Sequence, residues 1–446
     1  MIELLPLWMI LALMVLLFSG YPVALVLLGV TAVSAAIAIW AGEMNLAMVH
    51  NFPLRAYGLL ANNLIFPAVP PLIFMGVALA HGGLSRDLFV TFAHWLRRVP
   101  GGLPIAVLLI GVLLAPSAGL VGAAVGVITL AALPTMLERR YDPAIATSSI
   151  AAAGTLGVIL PPAVMLFFLA DFVGTTILST FAGILGPAAL LLLLYIVYFA
   201  LNGRARAGQV ITTGNNELPM GAGWRLIGIV AVVGSVLGSI ATGFATPSQS
   251  GSCGALAAFV LLLLTGELTG ARLKEILVET AYITAMVFLI IIAANAFSLV
   301  FRVLDGDALV SRFLGSLGLG DWGTLLFILT VIFLLGFFID WLEIVLISLP
   351  IFIPIIEKLD FTAHVGSPIL VKVWLGAAIA IVLQTSFLTP PFGFALFFLR
   401  GSAPPEVRMA DIYRGAVPIV MIQLIVLAVL LLLPRLATGL AGLTLD

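Results

Sequence analysis

Two short stretches of the chain place hydroxyl residues just before a pair of prolines. Residues 154–162 read GTLGVILPP, and residues 385–391 read TSFLTPP. Proline has no amide hydrogen, so each pair removes two backbone donors and leaves carbonyl oxygens of the preceding helical turn without partners. Free carbonyls in a broken membrane helix, together with hydroxyls, can bind a hard cation such as Na⁺. The hydroxyls available for this role are those of Thr155, Thr385, Ser386 and Thr389.

Each break also exposes the amino-terminal end of the helix that follows it. The free N–H groups of such an end carry a partial positive charge, which favours an anionic group of a substrate. The sequence therefore predicts that cation and substrate bind side by side at the breaks. The alternative is that proline and glycine only kink these helices, but two breaks at equivalent positions favour the functional interpretation.

Two further candidate sites are short tips between apolar runs. The first tip, APSAGLVGA at 115–123, has Ser117 as its only hydroxyl, so it would approach a ligand mainly through its backbone. The second, FIDWLEIV at 338–345, holds two acids, Asp340 and Glu343, which share one face if the segment is helical. A charge in such surroundings is costly unless it is paired or functional. These acids are expected to carry a proton, bind a cation or meet an arginine of a partner subunit, unless the tip reaches water and solvates them.

The rest of the chain offers few groups for chemistry. The four histidines lie apart without metal-ligand spacing, and the single cysteine, Cys253, excludes an internal disulfide and a cysteine-based metal cluster. The sequence has no glycine-rich phosphate-binding loop, so ATP hydrolysis is not expected. It has neither paired catalytic residues nor a polar pore stripe. We therefore predict a protein that is not an enzyme, has no cofactor and takes its energy from an ion gradient or a partner.

Composition defines the surroundings of these groups. Hydrophobic residues make up 63% of the 446 residues and charged residues only 9%, far from the balance of a soluble domain. Apolar stretches long enough to cross a hydrocarbon core of about 30 Å as helices recur along the whole chain. The sequence therefore predicts an all-α, polytopic membrane protein, in which the first apolar run, 4–18, is retained as a helix.

The apolar stretches predict two sets of helices separated by one polar segment. The first set is 4–18, 22–41, 67–81, 103–115, 120–137, 144–158, 163–174 and 180–201. The second set is 225–241, 247–265, 281–300, 322–337, 342–356, 373–388, 392–400 and 415–434. Residues 202–223 are the longest polar, glycine-rich stretch and form the natural linker, which divides the chain into an N-terminal repeat, 1–201, and a C-terminal repeat, 224–446.

The two halves share landmarks in the same order. PPAVMLFFLAD at 161–171 matches PPFGFALFFLR at 390–400, and Pro22 in the first half corresponds to Pro247 in the second. A third pair of segments, 111–136 and 332–356, keeps order and spacing but little identity. Internal repeats of about 200 residues in an all-helical membrane protein point to a secondary transporter fold.

Lys and Arg residues, which mark the cytoplasmic ends of membrane helices, predict how the halves are oriented. Arginines flank both ends of segment 103–137, which is therefore a re-entrant hairpin or two full crossings. Its counterpart, 322–356, lacks positive flanks and is placed outside, whereas the linker and the 400–414 loop are placed inside. This threading puts both termini outside and inverts one half relative to the other. A broken helix follows each hairpin, at 144–174 and 373–400.

Two segments do not fit a spanning interpretation. Residues 45–66 and 268–280 mix apolar positions at helical spacing with charged and polar residues, a pattern typical of helices that lie along the membrane interface. Both precede an equivalent spanning helix in their half. They are predicted to be arm helices that brace a frame, the alternative being ordinary connecting loops.

The chain resembles the large membrane subunit of tripartite ATP-independent periplasmic (TRAP) transporters along essentially its whole length. The stretches that carry the resemblance are FMGVALAHGGLSRDL at 74–88, GGLPIAVLLIGVLLAPSAGLVGA at 101–123, LPTMLERRYDPAIA at 133–146, AAAGTLGVILPPAVM at 151–165, GFATPSQSG at 243–251 and LGFFIDWLEIVLISLPIFIPII at 335–356. The two tips are most similar to the branch usually labelled mannitol/chloroaromatic compound transport.

The resemblance implies a function and partners. It implies Na⁺-coupled uptake of organic acids, such as C4-dicarboxylates or 2-oxo acids, across the bacterial inner membrane. The expected partners are a small four-helix membrane subunit and a periplasmic substrate-binding protein, with no nucleic acid. An elevator mechanism is implied, in which hairpins and broken helices move as a block against a scaffold braced by the arm helices. A stand-alone ion-coupled carboxylate carrier of the wider ion transporter superfamily is the alternative.

The resemblance also implies site residues. The first Na⁺ site would use Ser117, Gly119, Gly154, Thr155, Gly157 and Pro161. The second Na⁺ site would use Asp340, Ser386, Thr389 and Pro390. The substrate is expected at Thr155, Pro162, Thr246, Thr389 and Pro391, and no other metal is expected. The first tip has fewer hydroxyls than in many relatives, and Trp341 and Glu343 stand where many relatives have small or hydroxyl residues, so the resemblance does not fix the number of ions.

Overall fold

All regular secondary structure in the computed structural model is helical across the residues that it describes, which are 4–17, 19–63, 65–81, 84–114, 121–202 and 222–444. The first half has α1 Leu5–Leu17, α2 Val23–Trp40, α3 Leu46–His50, α4 Phe52–Asn62, a 3₁₀ turn Phe66–Ala68, α5 Val69–His81, α6 Leu84–Trp95, α7 Gly102–Leu114, α8 Val121–Glu138, α9 Pro143–Val158, α10 Val164–Val173 and α11 Ile177–Asn202. The predicted all-α fold is confirmed.

The second half has a corresponding series of helices. They are α12 Ala222–Ala241, α13 Pro247–Leu264, α14 Gly270–Val303, α15 Gly306–Ser316, α16 Gly320–Leu335, α17 Trp341–Ile356, α18 Thr362–Val365, α19 Pro368–Ser386, α20 Phe394–Ser402, α21 Met409–Leu432, α22 Arg435–Ala441 and a final 3₁₀ turn Gly442–Thr444.

Several of these helices have the length and composition of membrane spans. Within the described residues, seven helices are long and apolar enough to cross a membrane, namely α2, α11, α12, α13, α14, α19 and α21. An eighth span would form if segments 46–62 and 66–81, which are bent by 67° relative to each other, crossed together. The chain is therefore a multi-pass membrane protein, as its composition predicts.

Three of the four helices in the predicted hairpins are shorter. Helix α7 has 13 described residues and α16 and α17 have 16 each, whereas α8 has 18. At 1.5 Å per residue the three shorter helices span about 20 to 24 Å, less than a hydrocarbon core of about 30 Å. These lengths favour a re-entrant form for the second hairpin, 322–356.

The helices pack into two groups. Helices α1, α2, α5, α12, α13 and α14 pack against one another, and we call this group the frame. Helices α7–α11 and α16–α22 form a second connected group, which we call the body. The body contains the helices of both predicted hairpins and both broken helices, so the predicted ion ligands that lie within the described residues belong to one packed unit.

Packing pairs between the halves match one another. In the frame, α2 packs on α14 and α13 packs on α5; in the body, α8 packs on α20 and α17 packs on α10. Outside these groups, α6 packs on α12 and α15 packs on α1. Each of these contacts thus has a counterpart in which every helix is replaced by its equivalent from the other half. This is the packing expected of two equivalent repeats. The inverted orientation of the halves stays a prediction, and most of linker 202–223 lies outside the described residues.

Ion pairs anchor the two helices that lie beside the frame. Arg225 of α12 forms an ion pair with Asp87 of α6. In the other half, Arg302 of α14 meets Asp307 of α15, with 3.8 Å between Nε and Oδ2. The first ion pair thus ties α6 to α12 and the second ties α15 to α14, and α6 also packs on α7 and α8 of the body.

Several helical segments differ from the sequence map. Helices α6 and α15 fall in stretches that the map leaves as loops because they contain charged residues. Helix α6 is instead amphipathic, since its buried side chains Leu84, Leu88 and Phe92 recur every four residues. The predicted arm 268–280 and the span 281–300 form one helix, α14, because no proline or glycine follows Gly270, the first residue of the helix, up to its end at Val303.

Candidate functional site

The two broken helices begin in the same way. Asp142 caps α9 by accepting a hydrogen bond from the Ala144 amide at 2.9 Å, and Pro143 occupies the first turn. Ser367 caps α19, and Pro368 likewise occupies its first turn. A capping side chain followed by proline is a strong start signal for a helix. It fixes where each broken helix begins. The number of residues from that start to the proline pair then sets the length of the helix before the break.

The first break separates α9 from α10 at residues 159–163. Pro161 and Pro162 are both buried and are joined by a cis peptide bond. They have no N–H to offer the carbonyls of Gly157 and Val158 four residues earlier. The Gly157 carbonyl accepts a bond from the Leu160 amide at 3.2 Å instead, whereas no hydrogen bond from a described residue reaches the Val158 carbonyl. Val158 therefore supplies a free oxygen at the enclosed end of α9.

The Thr155 hydroxyl lies one turn before this free carbonyl. Its side chain is fully buried, and Oγ1 donates to the carbonyls of Ala151 at 3.0 Å and Ala152 at 3.4 Å. A hydroxyl that donates its proton to its own helix keeps its lone pairs for another partner. Thr155 can therefore contribute an oxygen ligand without losing its bond to the helix.

The second break separates α19 from α20 at residues 387–393. Pro390 and Pro391 are also joined by a cis peptide bond. The carbonyl of Ser386 accepts from the Thr389 amide at 3.2 Å, and that of Phe387 accepts from the Ala395 amide at 3.1 Å. Both carbonyls that the prolines would leave open are thus paired again, so this break relies more on side-chain oxygens than the first.

Three hydroxyls line the end of α19. Oγ1 of Thr385 donates to the Ile381 carbonyl at 2.7 Å, Oγ of Ser386 to Leu383 at 2.7 Å and Oγ1 of Thr389 to Thr385 at 2.9 Å. Thr385 and Ser386 are fully buried, while Thr389 and Pro390 are half-buried and Pro391 is exposed. The second break therefore opens to the surface, whereas the first is enclosed.

The first hairpin packs closely on α9. A side chain at Gly154 would collide with Val125 of α8, and one at Gly111 of α7 would collide with the backbone of Ala153. Only glycine allows this approach, which places both hairpin helices against the last turns before the break. The tip itself, with Ser117 and Gly119, lies outside the described residues.

The second hairpin packs on α19 at the corresponding place. A Cβ at Gly336 would overlap the Ser386 side chain, so the turn between α16 and α17 touches the residue that the sequence predicts as an ion ligand. The rings of Phe338 and Phe392, with centroids 4.7 Å apart, join the same turn to the break. The structure thus brings the second tip and the second break together.

Asp340 begins α17 directly after this turn. Its side chain is 6% exposed, and Oδ1 has no hydrogen-bond partner. Glu343, in the first turn of α17, also has one oxygen without a partner, Oε2. Neither acid takes part in an ion pair within the described part of the chain. Buried carboxylate oxygens without a counter-charge are costly, so a cation or a proton would stabilise this tip.

Each hairpin also packs on the broken helix of the other half. Gly122 at the start of α8 lies against the ring of Phe398 in α20, and Trp341 at the start of α17 lies against Phe168 in α10, at 5.9 Å between centroids. Helices α9 and α19 are themselves in contact. The start of α8, the second tip and both breaks therefore belong to one continuous region of the body.

A family comparison decides what kind of membrane protein this region serves. The family model described as "Tripartite ATP-independent periplasmic transporter, DctM component" matches residues 10–436. The chain belongs to this family. The resemblance to TRAP large subunits is thereby confirmed, whereas the narrower branch is not tested.

Named relatives of this DctM family member are distant but cover most of it. The C4-dicarboxylate TRAP transporter large permease protein DctM of Pseudomonas aeruginosa is 27% identical over 84% of this chain and 85% of its own length. The isethionate TRAP transporter permease protein DctMQ of Oleidesulfovibrio alaskensis is 28% identical over 84% of this chain and 58% of its own. The ectoine/5-hydroxyectoine permease UehC of Ruegeria pomeroyi is 25% identical, covering 83% and 84%.

A solved structure shares the fold of this DctM family member. The YdaH transporter of Alcanivorax borkumensis superposes with a TM-score of 0.61 at 17% identity, and the match covers 98% of each chain. At this identity the likeness shows the fold alone.

One predicted site residue lies away from the breaks in this DctM family member. Thr246 is exposed at the start of α13, in the frame, and forms a capping box with Gln249: its hydroxyl accepts from the Gln249 amide, and its own amide donates to Oε1 of Gln249 at 3.1 Å. Capping explains why a threonine stands there. A role of Thr246 in substrate binding stays a prediction.

One buried polar residue near the second break escapes the motif search. Gln384 is 1% exposed, and neither atom of its amide has a hydrogen-bond partner. The two proline pairs are 229 residues apart (390 minus 161), and the same offset makes Gln384 the counterpart of Thr155 in the other half. A single glutamine in an apolar helix belongs to no motif, so the offset between the halves is the sequence signal that identifies Gln384. Groups of three or more metal-binding side chains are absent from the described residues.

Proposed function

We propose that the chain is the large membrane subunit of a binding-protein-dependent secondary transporter, which couples Na⁺ entry to the uptake of organic acids. The observation that carries the proposal is the pair of equivalent helix breaks, each packed against a hairpin inside one body of helices. Broken helices of this kind are where secondary transporters bind ions and substrate. The proposed location is the inner membrane of a bacterium, with both termini on the periplasmic side.

The proposed substrate class rests on the named relatives and on the ends of α10 and α20. Relatives are named for C4-dicarboxylates, isethionate and 2,3-diketo-L-gulonate, which are anions, and for ectoine, a zwitterion that also carries a carboxylate. No side chain caps α10 or α20, which begin after Ala163 and Gly393. Among the described residues, the N–H groups of Val164 and Met165 in α10 and of Phe394 in α20 are therefore free for a carboxylate or sulfonate, whereas the Ala395 amide is paired with the Phe387 carbonyl. We propose that the substrate anion is held between them, beside Thr155, Pro162, Thr389 and Pro391.

The proposed Na⁺ sites follow the two breaks. In the first, the carbonyl of Val158 and the hydroxyl of Thr155 would bind the ion, together with backbone from Gly154, Gly157 and Pro161 and from the first tip. In the second, the ligands would come from Asp340, Ser386, Thr389 and Pro390. Each ion would neutralise local negative charge and fix its tip against its break, which completes the substrate site. This order makes substrate binding depend on Na⁺.

The proposed movement is an elevator. Among the described residues, the body holds every proposed ligand except Thr246. Its main direct contact with the frame is α14 with α17, with smaller contacts of α5 with α7 and α10 and of α12 with α7, and α6 packs on helices of both groups. A body that carries the complete site can slide along a frame without taking the site apart. The frame would in turn be held by the small four-helix subunit.

The first test of this proposal is dependence on partners. A panel of C4-dicarboxylates, 2-oxo acids and sulfonates is screened by thermal shift against the purified periplasmic binding protein, and the acid that stabilises it most is used as the probe. Proteoliposomes that contain the chain alone are expected to take up little of this acid. Addition of the small subunit and the binding protein is expected to raise uptake at least about tenfold. Efficient uptake by the chain alone would instead indicate a stand-alone carrier.

A further inference from the structure

One polar contact and one stack of aromatic rings join the frame to the body beside the second ion site. Asn63 follows α4, and its Nδ2 donates to Oδ2 of Asp171 near the end of α10 at 3.0 Å. The other side of the same amide, Oδ1, accepts from the amides of Ile65 at 2.7 Å and Phe66 at 3.2 Å. One side chain therefore both shapes the 3₁₀ turn Phe66–Ala68 and holds the body helix α10.

This turn belongs to the frame. It packs on α5 and α13, and Phe66, which is 3% exposed, lies against Phe288 of α14 with ring centroids 6.4 Å apart. Because Asn63 sets the backbone of the turn, its position is fixed by the frame. Asp171 is fixed by α10, which packs in the body on α11, α17 and α19.

The aromatic stack leads from this turn to the second tip. Phe66 meets Phe168 of α10 at 5.7 Å between centroids, and Phe168 meets Trp341 at 5.9 Å. Phe168 and Trp341 are at most 1% exposed, so the stack has no room for independent movement of one ring. Trp341 is the neighbour of Asp340. The series of contacts that begins at Asn63 and Phe66 therefore reaches Trp341, which is next in sequence to the proposed Na⁺ ligand Asp340.

We propose that Asn63 and Phe66 are positioning residues that form a latch between frame and body, and that transport requires this latch to open. The inference rests on the proposed elevator movement. With the latch closed, Phe66 supports Phe168, and Phe168 supports Trp341 and the tip that carries Asp340. When the body slides along the frame, Asp171 and Phe168 leave Asn63 and Phe66. The latch thereby links the position of the body to the packing of the second tip.

Reversible cross-linking tests the latch in the complete complex. The natural Cys253 is replaced by serine, which leaves a cysteine-free chain, and the pair Asn63→Cys/Asp171→Cys is bridged by a short bifunctional methanethiosulfonate. Uptake of the probe acid is expected to fall by at least about 90% on bridging and to return on reduction. The matched control is Gly183→Cys/Val373→Cys, which joins α11 to α19 inside the body, where the two Cβ positions are 3.8 Å apart. Bridging this pair is expected to leave uptake unchanged.

Each result decides the proposal. A confirmed bridge between positions 63 and 171 that leaves uptake intact would overturn it, as would failure of the pair to bridge under conditions that bridge the control. Absence of uptake in the wild-type complex would count against the proposed function, not against the latch.

A charge exchange gives a second measurement that does not depend on cysteines. Asn63→Asp places two carboxylates together and is expected to change the rate of uptake at least about threefold. The exchange Asn63→Asp/Asp171→Asn restores the bond with its direction reversed and is expected to restore the rate. An exchange variant that behaves like Asn63→Asp alone would contradict the latch.

Discussion

Replacement of Gly336 by alanine is expected to reduce uptake to below about 5% of the wild-type rate. A Cβ at Gly336 would lie 2.5 Å from Cβ of Ser386 and still closer to its hydroxyl oxygen. Such an overlap cannot be relieved by a flexible side chain, because Ser386 is fully buried in the last turn of α19. The turn between α16 and α17 must therefore move away from the second break. Asp340 moves with it, and the proposed Na⁺ site opens.

Removal of the obstructing side chain is the control for this prediction. In a Ser386→Gly background, the nearest remaining neighbour of the new Cβ is Cδ1 of Ile344 at 3.4 Å, an ordinary contact. Because Ser386 is itself a proposed Na⁺ ligand, this comparison is read from the melting temperature. Gly336→Ala is expected to lower it in the wild-type background and to leave it unchanged in the Ser386→Gly background. Gly376→Ala, also in α19, is the matched glycine control, since its nearest neighbour is Leu169 at 3.9 Å. Uptake close to wild type in Gly336→Ala would contradict the close packing of tip on break.

Replacement of Thr155 or Thr389 by valine is expected to raise the Na⁺ concentration for half-maximal uptake at least about tenfold. Valine keeps the shape of threonine and removes only the hydroxyl. The carbonyls to which these hydroxyls donate belong to helical turns, so the loss to stability is about 1 kcal/mol. The oxygen that each residue would offer to the ion is lost completely. Na⁺ dependence should therefore change much more than the melting temperature.

Thr129→Val is the matched control. Thr129 is fully buried in α8, and its hydroxyl donates to the Val125 carbonyl of its own helix at 2.6 Å. Thr129 therefore makes the same kind of hydrogen bond as Thr155. It lies about 12 Å along α8 from the first residue of that helix. Its replacement is expected to leave Na⁺ dependence unchanged. An unchanged Na⁺ response in both Thr155→Val and Thr389→Val would refute the assignment of these residues.

The positions of the breaks could be read from the sequence because their causes are local. Each tandem proline pair removes two successive amide donors. Single prolines such as Pro187 and Pro418 stay inside helices, so it is the pair that marks the break. The offset between the proline pairs then gives the equivalence of the halves. The structure has its breaks between α9 and α10 and between α19 and α20, as these signals predict.

The remaining features depend on packing and could not be predicted in this way. Helices such as α16 are apolar on all sides, so their sequence does not show which face meets a neighbour, and the division into frame and body follows from tertiary contacts. The free carbonyl of Val158 depends on which amides rearrange around Pro162. The charges of α6 obscure its apolar face, because charged residues near membrane ends usually indicate loops.

The most direct test of the account is the energy source of uptake. Proteoliposomes that contain the complete complex and the loaded binding protein are given either an inward Na⁺ gradient or an equal K⁺ gradient, and uptake of the probe acid is followed over time. Uptake is predicted with the Na⁺ gradient alone, and collapse of that gradient by a Na⁺ ionophore is predicted to stop it. Equal uptake under the two gradients would contradict Na⁺ coupling at the paired breaks.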